Sequence, residues 1–186
     1  MILKNVKTSW AFLSEPDENG NFRVTFEVSE EQDKVLKKAL TDCLKEKGKD
    51  PNKADWLGSR KDASQTEEGV TTYSCKCAKV FTTKSGQEKT RELPVYDKHA
   101  RRLSPEDIPN IRNGAICNVD VDVYYATYMK KYGAMLSFRG IQLISYEEFS
   151  PECKFEAIDE DDGGENRGFK NESKDNSPNE YNDEIF

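Results

Sequence analysis

The sequence predicts an all-β fold closed as a barrel and interrupted by a single helix. Three observations carry this. Apolar and polar residues alternate with period two in several segments between residues 3 and 145, the mark of half-buried strands. One capped stretch of helical period follows the second of these segments. Strands and helices do not alternate as they do in parallel-sheet folds.

The elements follow in order. Residues 3–13 (LKNVKTSWAFL) read as a strand with Val6, Thr8, Trp10 and Phe12 on one face. Pro16, Asp17, Asn19 and Gly20 are turn formers. Phe22, Val24, Phe26 and Val28 then alternate with Arg23, Thr25 and Glu27, a second strand that pairs with the first as a hairpin. Ser29 and Gln32 form a capping box, in which each side chain satisfies a backbone donor of the other residue. The helix runs to about Lys47, with Val35, Leu36, Ala39, Leu40, Cys43 and Leu44 as its apolar stripe. Glu30–Lys34 and Asp33–Lys37 stand at i,i+4, and Gly48 suits the stop. Residues 49–69 have no period and read as a long surface loop, functional or mobile. Trp56 within it is either a clamp over an apolar edge or a base-stacking group.

Residues 71–82 (TTYSCKCAKVFT) form a third strand, with Tyr73, Cys75 and Cys77 facing the core and Ser74 and Lys76 facing out. Lys84 to Gln87 is a turn, and residues 90–96 pair back. Ser104 caps a short helical turn beginning at Pro105. After the turn at Asn113 and Gly114 comes the longest strand signal. Ala115, Cys117, Val119, Val121, Val123 and Tyr125 share one face; Asn118, Asp120, Asp122, Tyr124 and Tyr128 share the other. A basic, tyrosine-rich turn follows (Met129, Lys130, Lys131, Tyr132, Gly133), and residues 134–145 return, with a bulge expected at Gly140. Aromatic rings beside ammonium groups on a solvent-facing strand end suit unpaired bases, which stack on the rings while lysines hold phosphates.

Composition sets bounds on function. Residues 157–186 hold ten acids and three bases, which accounts for the whole net charge of −7, so residues 1–156 are balanced. That segment is too polar to offset its ordering entropy and is expected to be disordered. It nevertheless closes on Tyr181, Asp183, Glu184, Ile185 and Phe186, an acidic-aromatic end that reads as a docking peptide. Five cysteines without framework spacing, no signal peptide and no membrane-length apolar run point to a reducing cytoplasm. No cofactor is expected. No metal is expected either, since the lone His99 and scattered cysteines supply no second ligand pair. The scarcity of histidine and the lack of a nucleophile–base motif argue against an enzyme.

This strand pattern fits the OB-fold, a five-stranded Greek-key barrel, here with one inserted α-helix and a disordered acidic C-terminal tail. The chain resembles the single-stranded DNA-binding proteins of tailed-phage replication in four ordered segments. These are the Phe22-Arg-Val-Thr-Phe-Glu-Val strand running into its helix, the Thr-Thr-Tyr-Ser-Cys-Lys-Cys strand, the hairpin from Tyr124 to Leu143, and the acidic tail ending in Phe186. The resemblance implies an OB-fold that coats single strands during phage DNA replication, recombination and repair in the bacterial host cytoplasm. It also implies a tail that competes for the DNA site and contacts partners such as DNA polymerase and helicase-primase. It places a stacking aromatic at Tyr128 and an outward lysine at Lys76.

The expected organisation is a DNA-binding domain over residues 1–156 and a tail over 157–186, with a homodimer left open. Bases would stack on Tyr124, Tyr128 and Tyr132. Lys76, Lys130, Lys131 and Arg139 would hold phosphates, with Arg23 in support. Asp183, Glu184, Ile185 and Phe186 would dock on the partner. Three rivals stand beside this reading: an RNA-binding OB module, an acidic interaction protein or DNA mimic, and a metal-dependent enzyme using Asp120 and Asp122.

Overall fold

The computed structural model describes residues 1–66 and 69–148. The tail, the expected boundary at 156, and Asp183, Glu184, Ile185 and Phe186 all lie outside them. The described residues are mostly β with a single α-helix. The strands are β1 (Ile2–Phe12), β2 (Asn21–Glu27), β3 (Trp56–Leu57), β4 (Thr72–Ala78), β5 (Val80–Thr82), β6 (Glu88–Thr90), β7 (Val95–Tyr96), β8 (Ile116–Tyr128) and β9 (Lys131–Ser145); the helix is α1 (Glu30–Glu46).

Pairings run from β1 to β2 to β4, all antiparallel, then from β4 to β9 in parallel at Lys76 and Ser137. From β9 they continue antiparallel to β8 and back to β1, so the path returns to its start. The far edge of β9 is shared out, with β3 alongside Gly133 and Ala134 and β7 alongside Ile141 and Gln142. Inward residues of all five ring strands meet in one core, among them Leu3, Val6, Val24, Phe26, Cys75, Val119, Val121, Leu136 and Phe138. Cys75, Cys77 and Cys117 are buried there as free thiols; burial alone pushes Cys117 up to about 12, so it stays protonated.

Helix α1 forms as its sequence dictates. Ser29 and Gln32 make both bonds of the capping box. Leu36, Leu40 and Leu44, one turn apart, are completely buried, whereas Val35 is exposed because the stripe is narrower than its apolar letters suggest.

Three expectations need correction. The segment 71–82 is not one strand: it breaks at Lys79 into β4 and β5, and only residues 88–90 pair back, on β5. Residues 95–96 instead join β9. The basic turn is also shorter than expected. Tyr128 opposes Lys131 directly, and only Met129 and Lys130 connect them, with Met129 at φ +54°, as a two-residue hairpin turn of the primed kind requires. Lys131, Tyr132 and Gly133 are therefore strand residues.

The third correction matters most for the site. The alternation of β1 does not run through to Phe12. Thr8 opposes Phe26, but Trp10 opposes Thr25, so β1 spends two residues against one of β2. Such a bulge exchanges inside and outside for the rest of a strand. Val6 and Thr8 point inward as expected, but Trp10 and Phe12 emerge on the outer surface, 63% and 40% exposed. The bulge expected in β9 is present: Arg139 is the extra residue between the Val121–Phe138 and Asp120–Gly140 pairs.

Candidate nucleic-acid interface

The ring's strand register lines up one outward row. Phe12 opposes Arg23, Arg23 opposes Lys76, Lys76 opposes Ser137, and Ser137 opposes Asp122. At about 4.8 Å per strand step the row spans about 19 Å. A second, shorter row beside it holds Trp10, Thr25 and Ser74. Tyr124 stands two residues beyond Asp122 on β8 and is 44% exposed; Tyr128, at the hairpin tip, is 66% exposed beside Lys130 and Lys131. The outer face thus offers aromatic rings at both ends and cations between them.

The cations differ in availability. Lys76, Lys130 and Lys131 are exposed and take no part in an ion pair among the described residues. Arg23 Nε donates to Ser74 Oγ at 3.2 Å, and Thr25 Oγ1 donates to the same oxygen at 3.1 Å. Arg139 pairs with Asp122 at 3.2 Å. Both partners of that pair are well exposed, and a pair in water holds its partners by only ~0–1 kcal/mol, so a phosphate can replace the carboxylate. Asp120 and Asp122 belong to no cluster of three or more His, Cys, Asp or Glu placed to hold a metal among the described residues.

Tyr132 is placed differently from Tyr124 and Tyr128. Its hydroxyl donates to the Asp50 carbonyl at 3.0 Å, and its backbone N–H donates to Asp55 Oδ2 at 3.0 Å. Lys49 Nζ lies 5.5 Å from its ring centroid, and Tyr125 packs 6.5 Å away on the other strand. Tyr132 therefore anchors the loop after α1. Trp56 takes the role of clamp. A Cβ on Gly133 would fall 2.2 Å from its ring and 2.4 Å from its carbonyl oxygen, so only glycine admits the close parallel pairing of β3 and β9. Trp56 Nε1 is buried without a hydrogen-bond partner among the described residues.

The loop expected to lack structure is held by one carboxylate. Asp33, on the first turn of α1, accepts from Arg60 Nε at 2.8 Å and Nη2 at 3.0 Å, from the Tyr73 hydroxyl at 2.8 Å, and from Lys37 at 2.9 Å. Partial burial opposes its ionisation, but these donors outweigh burial and hold the carboxyl well below the usual range. Tyr73 shifts up, through burial first and its hydrogen bond to Asp33 second. Arg60 also pairs with Asp62, and Lys61 exchanges two backbone hydrogen bonds with Thr72, 2.9 and 3.0 Å long. Residues 59–61 thereby become a fixed wall beside β4. Asp33 is identifiable in sequence as a helix i,i+4 partner; its bond to Arg60 is not, because it spans 27 residues and ends in the aperiodic loop. Trp10 and Phe12 were also missed as surface groups, because their letters continue an apolar alternation.

No protein-family model matches the sequence, and a search of curated proteins finds no match. Solved structures do match. The crystal structure of gp2.5, a single-stranded DNA-binding protein encoded by bacteriophage T7, aligns with a TM-score of 0.63 at 16% identity, over 86% of this chain and 97% of that one. The single-stranded DNA-binding protein from bacteriophage Enc34 aligns at 0.54 and 14% identity, over 83% of this chain and 86% of that one. The same protein in complex with single-stranded DNA aligns at 0.56 and 15%, over 80% and 88%. The chain therefore has the fold of solved phage single-stranded DNA-binding proteins.

Proposed function

We propose that the protein binds single-stranded DNA, without catalysing a reaction, on the outer face of its strand ring. The ring is read as the five-stranded Greek-key barrel of the OB-fold. The observation that carries this reading is the outward row from Phe12 through Arg23 and Lys76 to Ser137, flanked by the exposed rings of Tyr124 and Tyr128. Rings at both ends of one face with cations between them fit unpaired bases and their phosphates; a duplex, whose bases are hidden, cannot use the rings. Tyr124 and Tyr128 stack bases; Lys76, Lys130, Lys131 and Arg139 take phosphates, with Arg23 in support. The fold shared with proteins named for single-stranded DNA binding supports the same ligand.

Residues 157–186 extend the reading to replication and recombination in a phage-infected cell. A polyanion tethered near a cationic face competes with DNA for it at high effective concentration, and DNA would free Phe186 to dock on a replication partner. A mobility shift with single-stranded DNA, duplex DNA and RNA of one sequence, at two salt concentrations, tests the reading. Preference for the single DNA strand, weakening with salt, is expected. Equal binding to duplex rejects the stacking site, and preference for RNA favours an RNA-binding module.

A further inference from the structure

We propose that Trp10, turned outward by the bulge in β1, forms with Phe12, Arg23 and Lys61 a second nucleotide subsite, separate from the tyrosine hairpin. It takes one unstacked base on the indole and an adjoining phosphate on the two cations. The proposal rests on the single-stranded DNA reading and adds to it a place, a ligand unit and a principal aromatic anchor.

Four observations converge. The first is exposure. Trp10 and Phe12 lie two residues apart on one side of a paired strand, and Trp10 is the most exposed aromatic ring after Tyr128 among the described residues. Neither fills the core, so neither is explained by packing. The second is shape. The two rings border a recess of about 720 Å³, walled by β2, β4 and residues 59–66, within the ~300–1,000 Å³ of small-ligand sites. The third is chemistry. Thr25 and Ser74 supply hydroxyls, Arg23 and Lys61 supply positive charge, and no carboxylate lines the recess among the described residues. An aromatic plane, neutral hydrogen-bonding groups and two cations match the base, sugar and phosphate of a nucleotide. The fourth is preorganisation. The Lys61 wall is tied to Thr72 by its backbone and, through the neighbouring Arg60, to Asp33, so binding need not order it. The subsite also continues the interface, because Phe12 and Arg23 begin the row that leads to Lys76.

The two tryptophans make the test direct. The Trp56 ring is packed over Gly133 with its Nε1 buried, so a ligand-induced change in tryptophan emission reports Trp10. Oligo-dT is titrated into the full chain, with emission and a mobility shift read in parallel. The wild type is expected to be quenched on binding. Trp10→Ala should lose the quench and about 10-fold in affinity, as loss of one stacked base predicts; Trp10→Phe should recover most of the affinity. Tyr128→Ala should bind more weakly yet keep the quench. Lys61→Ala should flatten the salt dependence. Trp10 is exposed, so Trp10→Ala should melt like the wild type, and thermal unfolding confirms this. If the wild type binds with unchanged emission, or Trp10→Ala binds as tightly as wild type, the subsite is refuted while single-strand binding stands. Absence of binding by both readouts overturns the single-strand reading and the subsite with it.

Discussion

Replacing Asp33 by Asn tests how the candidate face is held in shape. The side chain is 13% exposed and receives two bonds from Arg60, itself 17% exposed, with further bonds from Tyr73 and Lys37. Asparagine keeps the volume and one acceptor but removes the charge, leaving a largely buried guanidinium short of its main partner. Breaking a buried pair from one side costs about 3–5 kcal/mol. Arg60 retains Asp62 in part, which brings the expected loss to about 2–3 kcal/mol. For a domain of this size 1 kcal/mol is ~2–4 °C, so thermal unfolding should shift down by about 5–10 °C. The pH dependence has a definite sign. A carboxyl depressed in the folded state contributes stability that is fully present above its unfolded pKa, near ~4, and is lost as pH falls through the folded value. The wild-type advantage over Asp33→Asn should therefore be constant from about pH 5 to 8 and shrink below about pH 4. Because Arg60 adjoins Lys61, the variant should also bind oligo-dT more weakly at temperatures where it is folded. A melting temperature within 1–2 °C of wild type at pH 7 would refute the claim that this network fixes the loop.

The other predictions concern the face and the tail. Tyr128→Ala should cost about 1–3 kcal/mol of single-strand affinity with unchanged melting, measured by oligo-dT titration; unaltered affinity rejects the hairpin as a stacking site. With ~3–4 phosphates neutralised, log K should fall against log salt with a slope of about −2 to −3, and Lys130→Ala with Lys131→Ala should flatten it; an unchanged slope places the backbone contacts elsewhere. Deleting residues 157–186 should tighten single-strand binding, most visibly at low salt where competition by the tail is least screened, while removing Phe186 alone should leave DNA affinity intact and weaken polymerase or helicase recruitment. Looser binding after truncation would make the tail structural.

Local rules made the strands, the helix cap and the Gly140 bulge legible. The capping box needs only Ser29 and Gln32, and a buried strand face needs only alternation over a few residues. The bulge between Thr8 and Trp10 left no such sign. Its register is set by pairing with β2, and an apolar pair at the end of an alternating strand looks the same whether it faces in or out. The expected faces of Tyr124, Tyr128 and Lys76 match the structure because β8 and β4 keep their alternation there. Tyr132 could not be placed by alternation, since its contacts with Asp50 and Asp55 come from about 80 residues away. The placement of the 49–69 loop was opaque for the same reason: local bonds at Asp50 and Asp62 shape two short turns within it, but Asp33, Thr72 and Gly133 fix where it docks.

On the proposed function, a single strand lies across the outer row of the ring. Amide chemical-shift mapping with oligo-dT tests it most directly. The largest changes are expected at residues 10–12, 23–25, 61, 74–76, 124, 128 and 137–139, with the solvent face of α1 and residues 97–101 unaffected. Saturable binding whose shifts cluster on that helix face or on residues 97–101, with the outer row silent, would contradict it.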